Sequence, residues 1–194
     1  MEIKKISDHT HDNVYIIFIL YSLIYFISSV LLTMSQDERL FFKATQRNKN
    51  YIEDVLSNCL PPRGTVLEIA SGSGEHGVIF QKRFPKIIWQ TSDPEYSYRK
   101  SISAWISHQR LTTKMPQPID LDVMKRPWHL SKKIRDSLKG IVCINMIHIS
   151  PWNCTRALFE ESDKLLKKEQ FLLLYGPFKI DGMHISKSNA LFDE

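Results

Sequence analysis

The chain has 194 residues, 43% of them apolar, which is enough for one domain of ordinary size with a short appendage. Its formal net charge of +5 would suit an anionic partner, but the basic residues are scattered, so nucleic-acid binding is not favoured. The three cysteines contain no C-x-x-C pair, which argues against a disulfide framework or a cysteine zinc site and favours a reducing compartment.

Residues 14–32 are an uncharged stretch made mainly of Ile, Leu, Phe, Val and Tyr. As a helix this stretch would be about 28 Å long, close to the hydrocarbon thickness of a bilayer. Basic residues follow it, which favours a cytosolic main domain. Residues 1–33 are therefore either a membrane anchor or an upstream extension of a domain that begins at Met34. His9 and His11 form an H-x-H pair without further ligands, which is typical of a solvated tail rather than a metal site.

From Ser35 onward the pattern predicts alternating helices and strands. A capping box at Ser35 and Glu38 predicts a helix through residue 44, and a second helix over 51–60 follows an interruption at 47–49. Further helices are predicted over residues 75–84, 98–109 and 153–168. Apolar runs predict strands at residues 66–70, 87–90, 117–123, 140–149 and 171–175. This alternation favours an α/β fold whose doubly wound parallel sheet is covered by helices on both faces.

A glycine turn joins the first predicted strand to the helix that follows it. Strand, turn and helix in this order are typical of a nucleotide-binding βα unit, because glycine lets the backbone approach a ligand and the first helical N–H groups can meet an anion. Gly72, Gly74 and Gly77, with Asp93 about 20 residues later, also satisfy the dinucleotide fingerprint. An NAD-binding oxidoreductase therefore stays open.

Glu68 lies inside a strand that should be buried on both faces, where an unpaired carboxylate is costly. It would repel a dinucleotide phosphate but would suit the ammonium and sulfonium of S-adenosylmethionine. Asp93, at the end of the second strand, could accept hydrogen bonds from ribose hydroxyls. Each carboxylate also has a simpler interpretation, Glu68 as an acceptor for the glycine turn and Asp93 as a turn former before Pro94.

Five ordered motifs together resemble the class I S-adenosylmethionine-dependent methyltransferase-like family called methyltransferase-like protein 26. They are V-L-E-I-A-S-G-S-G, W-Q-T-S-D-P, L-D-V, C-I-N-M-I-H-I-S-P-W and Y-G-P-F. The resemblance covers about residues 34–194 and does not include residues 1–33. It departs from the pattern at Ala70, where class I methyltransferases have the first glycine of acidic-x-Gly-x-Gly-x-Gly.

The resemblance implies a Rossmann-like fold, S-adenosylmethionine as cofactor, and a methyl acceptor that the sequence does not identify. Asp93 would hold the ribose, and Asp122 or its neighbour Asp120 would lie near the adenine amino group. Four residues of the first motif would line the methionine part: Glu68, Ala70, Gly72 and Gly74.

The resemblance also implies which residues meet the reacting groups. Asn145 and His148, at the end of the fourth predicted strand, would face the sulfonium and the acceptor. His148 is the candidate base for an acceptor that must lose a proton, although a structural role is an equal alternative. Arg47 and Asn48 would form part of a lid over the cofactor.

Class I methyltransferases add two strands after the fifth, whereas only residues 179–194 follow here. The resemblance therefore implies a sheet that lacks its last two strands, with residues 171–175 as an exposed apolar edge through which copies could associate. Residues 181–182 are predicted as a turn and residues 188–194 as a short helix. A non-catalytic, truncated cofactor-binding module stays open beside a methyltransferase.

Overall fold

The computed structural model describes residues 23–24, 37–185 and 189–190. The chain divides between Asp37 and Glu38. Before this division Leu23 and Ile24 are helical and exposed. The remainder of the predicted span at 14–32, and the H-x-H pair, lie outside the described residues. Within the described ranges no helix is both long and apolar enough to cross a membrane.

The described part of residues 38–194 is built from alternating helices and strands. The strands are β1 Gly64–Ile69, β2 Ile87–Thr91, β3 Leu138–Ile144, β4 Phe171–Tyr175, β5 Lys179–Ile180 and β6 Met183–His184. The helices are α1 Lys43–Cys59, α2 Glu75–Arg83, α3 Tyr96–His108, α4 Lys132–Ser137 and α5 Trp152–Leu165.

Four strands form a parallel sheet in the order β2-β1-β3-β4, as the alternation predicts. In the register of this sheet Glu68 lies beside Thr91 of β2 on one side and Val142 of β3 on the other. The carboxyl ends of these strands therefore meet at one edge. The short strands β5 and β6 form a separate antiparallel hairpin.

Helices cover both faces of the sheet, and successive residues of β1 point to opposite faces and pack against different helices. Val66 packs in an apolar cluster that contains Ile52 of α1 and side chains of α2 and α3. Leu67 packs in a second cluster with Leu158 of α5, while Ile134 of α4 borders it. The doubly wound α/β class is thus confirmed.

The prediction of two helices before β1 is wrong. Residues 37–42 are not helical, and α1 runs without interruption through residues 47–49. The entry segment is held by α3 instead of by its own turns: the Leu40 amide donates to Ser101 Oγ at 2.8 Å, and Trp105 Nε1 donates to the Leu40 carbonyl at 3.0 Å. The polar residues that suggested a break include Asn48, which is part of α1 and has a buried side chain.

The predicted strand at 117–123 is also wrong, because only an isolated parallel bridge between Ser92 and Ile119 forms there. Pro116 and Pro118 have no N–H groups, so a regular ladder cannot build up on this side of β2.

β4 is an edge strand of the sheet, as predicted, and its side chains are half-buried. Within the described ranges no strand pairs with its outer edge. Helix α4 and the hairpin β5–β6 were not predicted. The predicted turn is confirmed, since Asp181 and Gly182 both have positive φ and connect the strands of the hairpin. Of the predicted helix at 188–194, residues 189–190 are helical and the others lie outside the described residues.

Candidate functional site

A cavity of about 1270 Å³ opens at the carboxyl ends of β1, β2 and β3. Open parallel sheets bind ligands at this edge, at the point where the strand order reverses. Here β2 lies on one side of β1 and β3 lies on the other. Most of the predicted site residues line this cavity: Arg47, Asn48, Glu68, Ala70, Gly72, Asp93, Asn145 and His148. The fold therefore brings together residues that are about 100 positions apart in the chain.

Glu68 is almost completely buried at the end of β1. Its Oε2 accepts a hydrogen bond from Trp89 Nε1 at 2.8 Å. Burial raises the pKa of Glu68 to about 7, the Trp89 and Ser71 hydrogen bonds oppose this shift, and the charge of Asp93 adds to it. Glu68 has no ion pair with the residues that the structure describes. A cationic ligand group would therefore stabilise its ionised form.

Asp93 connects the glycine turn to the loop after β2. Its Oδ2 accepts from the Gly72 amide at 2.9 Å and its Oδ1 accepts from the Glu95 amide at 3.0 Å. Burial raises the pKa of this carboxyl. The interpretation as a turn former thus holds, and the same carboxylate also faces the cavity, where each oxygen retains a further lone pair.

Two residues of the cavity wall have left-handed backbone conformations without being glycine. Ala70 has φ 53° at the end of β1, and Asn145 has φ 60° at the end of β3. Such conformations cost about 1 kcal/mol for a residue with a Cβ and concentrate at functional sites. At Ala70 this explains why glycine suits the corresponding place in the methyltransferase pattern.

Gly74 does not line the cavity. It is the N-cap of α2 with φ 85°, and a Cβ there would lie 2.6 Å from Ile102 Cγ1 of α3. Glycine is required at this position by helix packing and backbone conformation, which are requirements of the fold.

Asp122 also lies outside the lining. Its Oδ1 accepts from the Met124 amide at 2.9 Å, and its Oδ2 is 4.0 Å from Lys125 Nζ. Its neighbour Asp120 pairs with Arg99 at 3.0 Å. Both carboxylates therefore have partners within the protein, and neither is among the residues that line the cavity.

The cavity lining also includes residues that were not predicted, among them Phe42, His76 and Tyr98. The rings of Phe42 and Tyr98 pack edge to face at 5.9 Å, and a Cβ on Gly72 would lie only 3.0 Å from the Phe42 ring. His76 follows the last residue of the first motif, Gly74, by two positions, so a polar residue in the first turn of α2 was the available signal. The aromatic pair comes from two distant segments and left no such signal.

At the opposite end of the cavity, the loop after β3 meets the loop after β4. The Asn145 amide donates to the Tyr175 carbonyl at 2.8 Å, and a Cβ on Gly176 would lie 3.3 Å from His148 Nδ1. Burial lowers the pKa of His148, so the imidazole is neutral at pH 7 and able to accept a proton. Within the described ranges no cluster of side chains suits a metal ion.

Sheet order, glycine turn and cavity together define the Rossmann-like fold of class I methyltransferases, and solved structures agree. The methyltransferase SibL, in its apo form, has a TM-score of 0.62 at 11% identity, covering 77% of this chain and 40% of that one. An O-methyltransferase family protein from Burkholderia thailandensis has a TM-score of 0.61 at 18% identity, covering 77% and 44%. Magnesium protoporphyrin IX methyltransferase from Synechocystis PCC 6803, with bound S-adenosylmethionine, has a TM-score of 0.50 at 13% identity, covering 63% and 54%.

This chain thus spans less than two thirds of each of these proteins. At such low identity the similarity shows the fold. Residues 39–194 match the family described as Protein of unknown function (DUF938), and the chain belongs to that family.

Proposed function

We propose that this protein binds S-adenosylmethionine and transfers its methyl group to an acceptor. The observation that carries the proposal is the pair of buried carboxylates, Glu68 and Asp93, that line one cavity beside the glycine turn. Glu68 without an ion pair suits an ammonium group, and Asp93 suits the hydroxyls of a ribose. The Synechocystis enzyme of the same fold contains this cofactor, which supports the choice.

We also assign the five ordered motifs to common descent with the methyltransferase-like protein 26 family. The arrangement of the motif residues supports this assignment, because four of the motifs contribute to the cavity wall and only L-D-V lies outside it.

When bound, S-adenosylmethionine supplies an electrophilic methyl group on a positively charged sulfur. Glu68 would bind the ammonium, Asp93 would bind the ribose, and Asn145 would border the sulfonium. The chain then has mainly to hold the acceptor in line with the methyl group. Where the acceptor carries a proton, neutral His148 would take it as the new bond forms. For this the acceptor has to enter the cavity from the β4 side.

The binding part of the proposal is tested by calorimetric titration of the full-length chain with S-adenosylmethionine, S-adenosylhomocysteine and NAD. We expect the first two to bind and NAD to give no heat. Glu68→Gln should weaken S-adenosylmethionine by at least about tenfold, because a charge-assisted hydrogen bond is lost. Glu160→Gln, on the exposed surface of α5, is the matched control. Binding of NAD alone would instead favour the oxidoreductase that the glycine spacing leaves open.

The catalytic part is tested by incubating the full-length chain with fractionated cell extract and cofactor labelled in its methyl group. We expect label in an acceptor fraction with the wild-type chain. Cofactor binding without transfer to any fraction would favour a non-catalytic binding module.

A further inference from the structure

A buried hydrogen bond joins α1 to α2 at the wall of the cavity. His76 Nε2 and Asn48 Oδ1 are 2.8 Å apart, and both side chains line the cavity. Burial lowers the pKa of His76 to about 4, with the charge of Lys49 acting in the same direction. The imidazole is therefore neutral at pH 7, and because Oδ1 can only accept, Nε2 carries the proton.

This bond determines what Asn48 offers to the cavity. Since Oδ1 is occupied by His76, the amide nitrogen Nδ2 points its two N–H groups elsewhere. Asn48 is only 5% exposed, and Nδ2 has no hydrogen-bond partner in the described part of the chain. Nδ2 is therefore an accessible donor at the cavity wall, available to an acceptor on a ligand.

The position of the pair indicates which part of a ligand it meets. His76 lies in the first turn of α2, and its neighbour Gly77 is so close to Glu68 that a Cβ there would lie 3.0 Å from Oε2. The pair thus belongs to the Glu68 side of the cavity. At the amino end of α2 the Glu75 amide donates to Ser73 Oγ, whereas the next two amides have no i−4 partner within the helix and can donate to an anion.

We propose that His76 is a positioning residue that holds Asn48 so that its amide donates to the carboxylate of the cofactor's methionine part. This inference rests on the proposed function. Glu68 would take the ammonium of the same amino acid, so that the two charged groups of one ligand end would have separate partners. The stacking of His76 on Phe80, with ring centroids 5.6 Å apart, keeps the imidazole in the orientation that this bond requires.

The experiment compares two ligands by calorimetry with the full-length chain. S-adenosylhomocysteine has the amino-acid part, and methylthioadenosine lacks it. In Asn48→Asp the carboxylate still accepts from His76 but presents an oxygen instead of a donor. We expect this variant to lose about tenfold or more in affinity for S-adenosylhomocysteine and less than about twofold for methylthioadenosine.

Variants at His76 test the positioning role itself. His76→Ala should reduce S-adenosylhomocysteine affinity by about fivefold or more, again with little effect on methylthioadenosine. His76→Gln, whose amide can donate to Asn48, should recover a large part of that loss. A thermal melt of each variant verifies folding, and Asn48→Asp keeps the test decisive if His76→Ala does not fold.

Several results would overturn the inference. Equal losses for both ligands would indicate a merely structural pair, and unchanged affinities would show that Asn48 does not meet the carboxylate. In either case the wild-type chain still binds S-adenosylhomocysteine, and the proposed function stands. Failure of the wild-type chain to bind either ligand would overturn the proposed function together with this inference.

Discussion

At the β1 end of the cavity the side chains of Glu68, Asn48 and His76 are nearly buried, and each is held by a hydrogen bond to a neighbouring element. At the β4 end Ile149 is 73% exposed and Ile185 is 61% exposed. A preorganised wall suits a ligand whose shape is always the same, whereas an open apolar rim leaves room for a partner of different shape. Under the proposed function, we expect the cofactor at the β1 end and the acceptor at the β4 end.

The largest expected effect is on the free energy of unfolding, because the buried carboxylate of Glu68 at the β1 end destabilises the unliganded fold. Glu68→Gln should raise the free energy of unfolding by up to about 3 kcal/mol at pH 8, because the wild-type chain holds an ionised carboxylate whose pKa is raised to about 7. A glutamine can still accept from Trp89. Urea unfolding of the unliganded chain measures the effect.

The stability gain in Glu68→Gln should depend on pH. In wild type the unfolded chain ionises Glu68 first, near the ordinary carboxyl pKa of 4.5, so stability falls as pH rises from about 4.5 to about 7 and is constant above. The gain in Glu68→Gln should therefore disappear near pH 4. A gain of the same size at pH 4 and pH 8 would show that burial of charge is not its cause.

A substitution at the β4 end should act on rate and leave cofactor binding intact. His148→Ala should lower the methyl-transfer rate by about 100-fold for an acceptor that loses a proton. In wild type the rate should fall as pH drops through the pKa of His148, which burial lowers below 6.5. The variant should not show this fall in rate at low pH. Rate and S-adenosylhomocysteine affinity are measured together, with exposed His129→Ala as the control. A matching loss of affinity would contradict the division between the two ends.

A smaller effect is expected from relieving backbone strain at the β1 end. Ala70→Gly should stabilise the fold by about 0.5 kcal/mol, because relief of the left-handed conformation slightly exceeds the added entropy of the unfolded chain. Arg110→Gly, with φ 55° on the exposed surface, should give a similar gain. Urea unfolding measures both. Destabilisation at Ala70 alone would mean that its methyl group packs usefully against the cavity wall.

The smallest effect is expected at Asp122. Because its carboxylate accepts from Met124 and lies outside the lining, Asp122→Asn should change S-adenosylmethionine affinity by less than about twofold. Calorimetric titration gives the number. A loss of tenfold would show that the cofactor reaches beyond the cavity as described and would restore the role that the motif resemblance implies for Asp122.

Local sequence patterns predicted a large part of the fold because its strands are continuous apolar runs. β1, β2 and β4 begin and end close to the predicted residues, since burial on both faces leaves few polar residues inside them. The pattern failed at residues 37–42 and 117–123. In the first case side chains of α3 satisfy the backbone, and in the second the prolines remove ladder donors, so contacts outside the local window decided both.

The candidate site divides in the same way. By itself the sequence determined the βα order, the glycine turn and the ends of β1 and β2, where Glu68 and Asp93 stand, because strand periodicity and turn chemistry are local. Tertiary structure alone decided that Gly74 serves helix packing, that Asp122 caps its own loop, and that His76 is hydrogen-bonded to Asn48 at the cavity wall. The physical reason is that a side chain's partner depends on which distant element packs against it, and no periodicity within one element contains that information.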